Sequence, residues 1–256
     1  ARYLTAMAIA TFAAREDANV APPEALIEFN GNLSFGHFVS VIQAVAGLKT
    51  SHPLQSHFSV SFLKKTSSAK GKLEILNKLR NDLGHDLKGL NEDTARHIFI
   101  TQQPLQTLEG LLEGVEPLCV LPLFLVDTQQ PIRKIIHIWR LMLMGESKDP
   151  IPQQVAVSEA FMDEKCLYVG ISEGVLPLHP TLVWDLEENR SARGIYIIHQ
   201  ILKDRLDYRS QVAENQPITP PTPNDILSLT QGKIVELDTI KLQDGRSFAQ
   251  EWLELR

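Results

Sequence analysis

The hexapeptide R-N-D-L-G-H at positions 80–85 brings together Arg80, Asn81 and His85, the side chains of this chain best suited to chemistry. Arginine carries a permanent charge on a planar fork that matches phosphate oxygens. Histidine exchanges a proton near neutral pH, and asparagine can orient either. The trio suits RNA cleavage without a metal, in which a ribose 2′-OH attacks its own phosphate. His85 would serve as base or acid, Arg80 would neutralise the crowded phosphorane, and Asn81 would hold the geometry. No acidic metal cage and no cofactor is required.

These residues need a helix to position them, and the surrounding run Lys70–Lys88, KGKLEILNKLRNDLGHDLK, has the period for one. At about 100° per residue, Ile75, Leu79, Leu83, Leu76, Leu87 and Leu73 fall on one broad apolar face, whose edge Arg80 interrupts. Gly84, Asn77, Asn81 and His85 follow on the adjoining arc, a polar strip suited to a partner or a phosphate. Arg80 and His85 lie about 140° apart on this helix. Bringing them to one site takes a bend near Gly84 or a second subunit.

The hexapeptide resembles the Arg-Asn-x-x-x-His signature of HEPN domains, helical modules that include the RNases of bacterial toxin and antiviral systems. Two further stretches extend the resemblance to roughly Leu33–Ala213. Ser34–Gly47, SFGHFVSVIQAVAG, is similar to the helix that often precedes the signature helix. Leu176–Trp184, LPLHPTLVW, with Gly194–Ile198 and Asp207–Tyr208, looks like the β appendage that follows it in some members. The resemblance implies an endoribonuclease active as a homodimer, with RNA as substrate and an antitoxin or flanking regulatory domain as a further partner. Asp86 departs from the pattern, standing where a glycine is frequent. An acid there would raise the imidazole's proton affinity or compete for Arg80.

The bounds of the chain agree with a folded protein. Its 256 residues suffice for one large or two modest cores, and an apolar fraction of 43% excludes a disordered chain. A formal charge of −6 disfavours a protein that grips long nucleic acid through counterion release, while leaving room for a local site that reads a few single-stranded nucleotides. Cys119 and Cys166 lie in apolar surroundings without C-x-x-C spacing and read as core thiols, which fits a reducing cytoplasm. No window approaches the roughly 18 apolar residues of a membrane span, and no signal peptide is evident. The helical character at both ends suggests a segment of something larger.

Along the chain, Ala1–Arg15 reads as a buried helix, Pro22–Phe29 as a break with a short helix, and Asn30–Asn32 as a turn. Ser34 caps the next helix, with Gly36 permitting close approach of another backbone and His37 a candidate second histidine. His52 and His57 lack a carboxylate or cysteine at ligand spacing and read as structural rather than metal-binding. Lys64, Lys65, Lys70 and Lys72 form the basic run that would feed RNA toward Arg80, although such a run is usually a solvated loop. Asn91 caps a helix continuing to about Glu116, with Pro104 a kink or division and Arg96 and His97 packing or surface residues.

At Pro117 the period shortens, and strands are expected at Leu118–Val126, Ile132–Met144, Gln154–Val157, Cys166–Ile171, Leu182–Leu186 and Ile195–Ile198. Trp139, His179, Trp184 and Tyr196 stand out there, more as core than as base-stacking residues. The resulting expectation is an α+β chain: an N-terminal HEPN-like helical bundle at 1–117, a small antiparallel β lobe at 118–213, a proline-rich linker at 214–225 and a helical segment at 226–256. A rival reading from another class is a non-catalytic dimerisation or nucleotide-sensing module, with Arg80 paired to Asp86. A scaffold between two domains of a larger signalling protein is a third.

Overall fold

The computed structural model describes residues 1–49, 51–58, 69–85, 91–132, 135–143, 151–158, 162–172, 174–185, 194–210, 222–233, 242, 244–248 and 250–251. The fold is mixed α+β with antiparallel sheets.

Helix α1 (Arg2–Ala13) is buried along every residue from Leu4 to Ala13, as its Ala-, Met- and Ile-rich sequence with no internal charge requires. Its end is closed by Arg15, which is buried, donates to the Phe12 carbonyl at 2.9 Å and lies over the Phe12 ring at 4.0 Å. The same guanidinium reaches the Gly232 carbonyl at 3.0 Å. That ties α1 to the turn after helix α8 (Pro223–Thr230).

After α2 (Glu24–Ile27) comes β1 (Gly31–Asn32), where a bare turn was expected; Gly31 takes φ +65 to enter it. Helix α3 (Phe35–Ala46) packs on α1 and α2. Short α4 (Gln55–Phe58) precedes α5 (Ala69–His85), which packs on α3 and α7 (Pro104–Cys119). Helix α6 (Glu92–Gln102) is separated from α7 at Gln103, a left-handed residue with φ 43, so the chain divides at Pro104 instead of kinking.

The strands form two antiparallel sheets. One has the order β4-β3-β2-β5-β6: β4 (Ile151–Ser158), β3 (Ile135–Met142), β2 (Leu123–Ile132), β5 (Leu167–Gly170) and β6 (Val175–Pro177). In the other, β8 (Gly194–Ile201) pairs antiparallel with β1, β7 (Leu182–Asp185) and β9 (Leu206–Ser210). The main core takes side chains from α1, α3, α5 and α7 together with Leu125, Leu167, Tyr196, Ile198 and Tyr208, so packing continues across the 117/118 division that separates helix from strand.

A second core lies on β2, β3 and β4. Its centre is Arg140, 1% exposed, with its guanidinium over Phe124 at 5.6 Å and Phe248 at 4.9 Å. Arg140 donates to Gln153 Oε1 at 2.9 Å and is ion-paired with Glu251. Phe124 and Phe248 stack at 5.2 Å. Thus Leu242, Phe248 and Glu251, from the C-terminal part of the chain, lie against this sheet, and within the stretch 226–256 expected to be helical Phe248, Gln250 and Glu251 are in helix. Helix α8 starts at Pro223, capped by Thr222 and Asp225, inside the stretch read from sequence as linker; residues 214–221 lie outside the described residues.

Candidate functional site

Helix α5 carries the hexapeptide, and its burial only partly follows its apolar face. Ala69, Leu73 and Leu79 are buried and Leu76 and Leu83 half-buried, but Ile75 is 47% exposed, because α3 and α7 cover a narrower arc than the leucines occupy. Leu87 lies outside the described residues. On the seam with α3, Gln43 Nε2 donates to Glu74 Oε1 at 3.1 Å. Asn77 also faces α3; its Oδ1 is buried without a partner, and a Cβ on Gly36 would sit 3.6 Å from Asn77 Nδ2. That is ordinary contact, so packing here does not demand the glycine.

Arg80 and Asn81 are both exposed, and Arg80 Nη1 donates to Asn81 Oδ1 at 3.1 Å. His85 is the last residue of α5; its side chain lies outside the described residues, as does Asp86.

The four lysines separate. Lys64 and Lys65 lie outside the described residues, and Lys70 stands on the first turn of α5. Lys72 is half-buried and its chain runs over α7: a Cβ on Gly110 would meet Lys72 Nζ at 1.9 Å. Position 72 falls at the centre of the arc carrying Leu79 and Leu83, so its stem fills the seam left open by the missing side chain of Gly110. Lys72 Nζ is thereby directed at α7.

The other histidines have local roles. His37 Nδ1 accepts from the Ser34 backbone N–H at 2.9 Å and lies 2.8 Å from Ser34 Oγ, forming a capping box at the start of α3. It is engaged in helix capping. His52 is 6% exposed, neither ring nitrogen has a partner, and its ring meets Phe58 edge-on at 6.3 Å. Burial lowers its proton affinity from 6.5 to about 4, so it is neutral at physiological pH. No group of three or more potential metal-binding side chains occurs among the described residues. Arg96, His97 and His179 are exposed, Tyr196 is core, and Trp139 and Trp184 are half-buried.

Cys119, expected in the core, is exposed at the last residue of α7, one position past the buried Leu118. Cys166 is half-buried, and burial together with Asp163 raises its thiol to about 11, which disfavours a reactive thiolate. No described helix is long and apolar enough to cross a membrane.

Sequence reasoning missed one grouping altogether. Arg2 Nη2 lies 3.2 Å from His199 Nδ1, and Arg209 on β9 faces the same side of the sheet. The only signal was the alternation Arg205, Asp207, Arg209, which has no meaning until β9 is paired. No family model, curated protein or solved structure matches the chain.

Proposed function

We propose that the chain is a HEPN-type, metal-independent endoribonuclease of a defence or toxin system, working in the cytoplasm as a homodimer. Arg80 binds the scissile phosphate and neutralises the phosphorane, Asn81 orients that guanidinium, and His85 moves the proton. The 2′-oxygen loses its proton and attacks phosphorus, the P–O5′ bond breaks, and a proton goes to the leaving 5′-oxygen. Supporting this reading is the exposed Arg80–Asn81 pair, joined at 3.1 Å on a helix that packs on α3 and α7.

The test is cleavage of single-stranded RNA by the purified chain in EDTA, leaving a 2′,3′-cyclic phosphate. Arg80→Ala and His85→Ala should each abolish cutting with the circular dichroism spectrum unchanged. Persistent cutting by His85→Ala refutes the assignment.

One observation favours a second reading, a non-catalytic dimerisation or sensing module. Leu105, Leu108 and Leu112 form a stripe on α7 that is 63%, 43% and 58% exposed, and Phe99 and Ile100 of α6 are 57% and 67% exposed. A patch of this kind marks an interaction surface. On α5 the exposed Ile75 lies about 180° from Gly84, so pairing on that side would leave the Gly84 strip unpaired. A stable dimer by light scattering that is inert toward RNA and is split by Leu108→Glu would favour the module over the nuclease.

A further inference from the structure

Sheet register and burial together define one face of β8 and β9. Tyr196, Ile198 and Ile201 on β8, with Leu206 and Tyr208 on β9, are buried on one side. Ile197 opposes Arg209 on the other side. Between the pairs Ile198↔Tyr208 and Gln200↔Asp207 the register slips, and His199 is the extra residue. This bulge turns both His199 and Gln200 to the side that carries Arg209, a known use of bulges to re-aim a side chain. Arg2, from the first turn of α1, comes down on the same side and contacts His199 at 3.2 Å, braced over the Phe38 ring at 5.5 Å.

The result is two guanidiniums and an imidazole gathered on one side of the sheet. Asp207 is the nearby carboxylate, but it accepts from Arg205 Nε at 3.1 Å. Among the described residues, neither Arg2 nor Arg209 has a carboxylate within ion-pairing distance. The charges act on one another as well: burial and then Arg209 lower the proton affinity of Arg2, and burial, Arg209 and Arg2 lower that of His199, against Asp207. Like charges held together cost folding free energy, and an anion seated among them removes that cost.

The geometry points to a binding site for a small phosphate monoester at Arg2, His199 and Arg209. The two planar forks supply paired N–H donors for the phosphate oxygens. Because Nδ1 of the neutral imidazole accepts from Arg2, its proton resides on Nε2, which becomes a third donor. Gln200, beside His199, opposes Asn32 across β1 and β8. Two amides at that position suit hydroxyl groups on the ester's carbon skeleton, so inorganic phosphate is the simplest ligand and a sugar phosphate the fuller one. The site is separate from Arg80 and does not depend on the nuclease reading.

The test is isothermal titration and thermal unfolding of the full chain with inorganic phosphate, ionic strength being held constant with sodium chloride. Saturable binding and a raised unfolding midpoint are expected. Arg209→Gln and His199→Gln should each weaken binding on the order of tenfold. Arg209→Gln should keep or raise the midpoint without phosphate, since it relieves repulsion, whereas a merely structural arginine would lower it. Arg246→Gln, an equal charge change elsewhere, should leave binding unchanged. Ribose 5-phosphate and adenosine monophosphate then distinguish the source: tighter binding of either identifies the ester, and equal binding of all three makes the phosphate group the whole ligand. An absent or non-saturable response, or equal binding by Arg209→Gln, overturns the assignment.

Discussion

Lowering the pH from 7 to 4 should destabilise this protein through His52 in particular. The ring is 6% exposed with both nitrogens unpartnered, and burial moves its pKa from 6.5 to about 4. A histidine whose folded pKa is depressed contributes stability fully present above the unfolded value and lost as pH falls from 6.5 through 4. The shift corresponds to about 3 kcal/mol once both values are passed, and about 2 kcal/mol of that is lost by pH 5. His52→Leu removes both the titration and two unmet hydrogen-bonding groups. It should therefore be more stable than the parent by about 1–3 kcal/mol at pH 7, with the advantage widening by about 2 kcal/mol at pH 5. Urea unfolding at several pH values measures the slope, and the imidazole resonances in an NMR titration give the folded pKa directly. A titration midpoint near 6.5, or a pH slope unchanged in His52→Leu, would refute the reasoning.

Glu251→Gln should cost about 3–5 kcal/mol, because it leaves the Arg140 charge buried against Phe124 and Phe248 without its counterion; replacing both partners, Arg140→Met with Glu251→Leu, should recover most of that loss in denaturant unfolding. Asn91→Ala removes the 2.8 Å bond to the Thr94 N–H and should cost about 1 kcal/mol of cap, seen as faster amide exchange confined to α6. Lys72→Ala should lower stability through lost packing over Gly110, while leaving RNA affinity unchanged; a selective loss of RNA affinity would restore Lys72 to an RNA path.

Local signals were the legible ones. The uncharged Ala1–Arg15 run, Ser34 before an apolar 3–4 period, Asn91 before Glu92-Asp93 and Pro104 each act within one turn of helix, and each marks a boundary where it was expected. Strands β2, β3, β4, β5, β7 and β8 were visible as apolar or alternating runs, with ends displaced by a few residues. Short β1 was not, because a strand of two residues is defined by its partner, and β6 and β9 fell only within the stretches Leu176–Trp184 and Asp207–Tyr208 that carry the resemblance. The exposure of Ile75 and Cys119 was illegible for a similar reason: helical period tells which residues share a side, and only the neighbours' positions tell how much of it is covered.

The candidate hexapeptide is a property of sequence alone, since Arg80, Asn81 and His85 are close along one helix whatever that helix packs on. Which other charges meet was decided by tertiary structure: Arg2 with His199, Arg15 with Gly232, Arg140 with Glu251. These partners are about two hundred or one hundred residues apart in the chain, and nothing in their local spacing encodes the contact. Hydrogen bonding along a helix is set by residues within four positions. Pairing between strands and docking of α1 and the C-terminal segment are set by which apolar surfaces can be buried together, and that choice belongs to the whole chain.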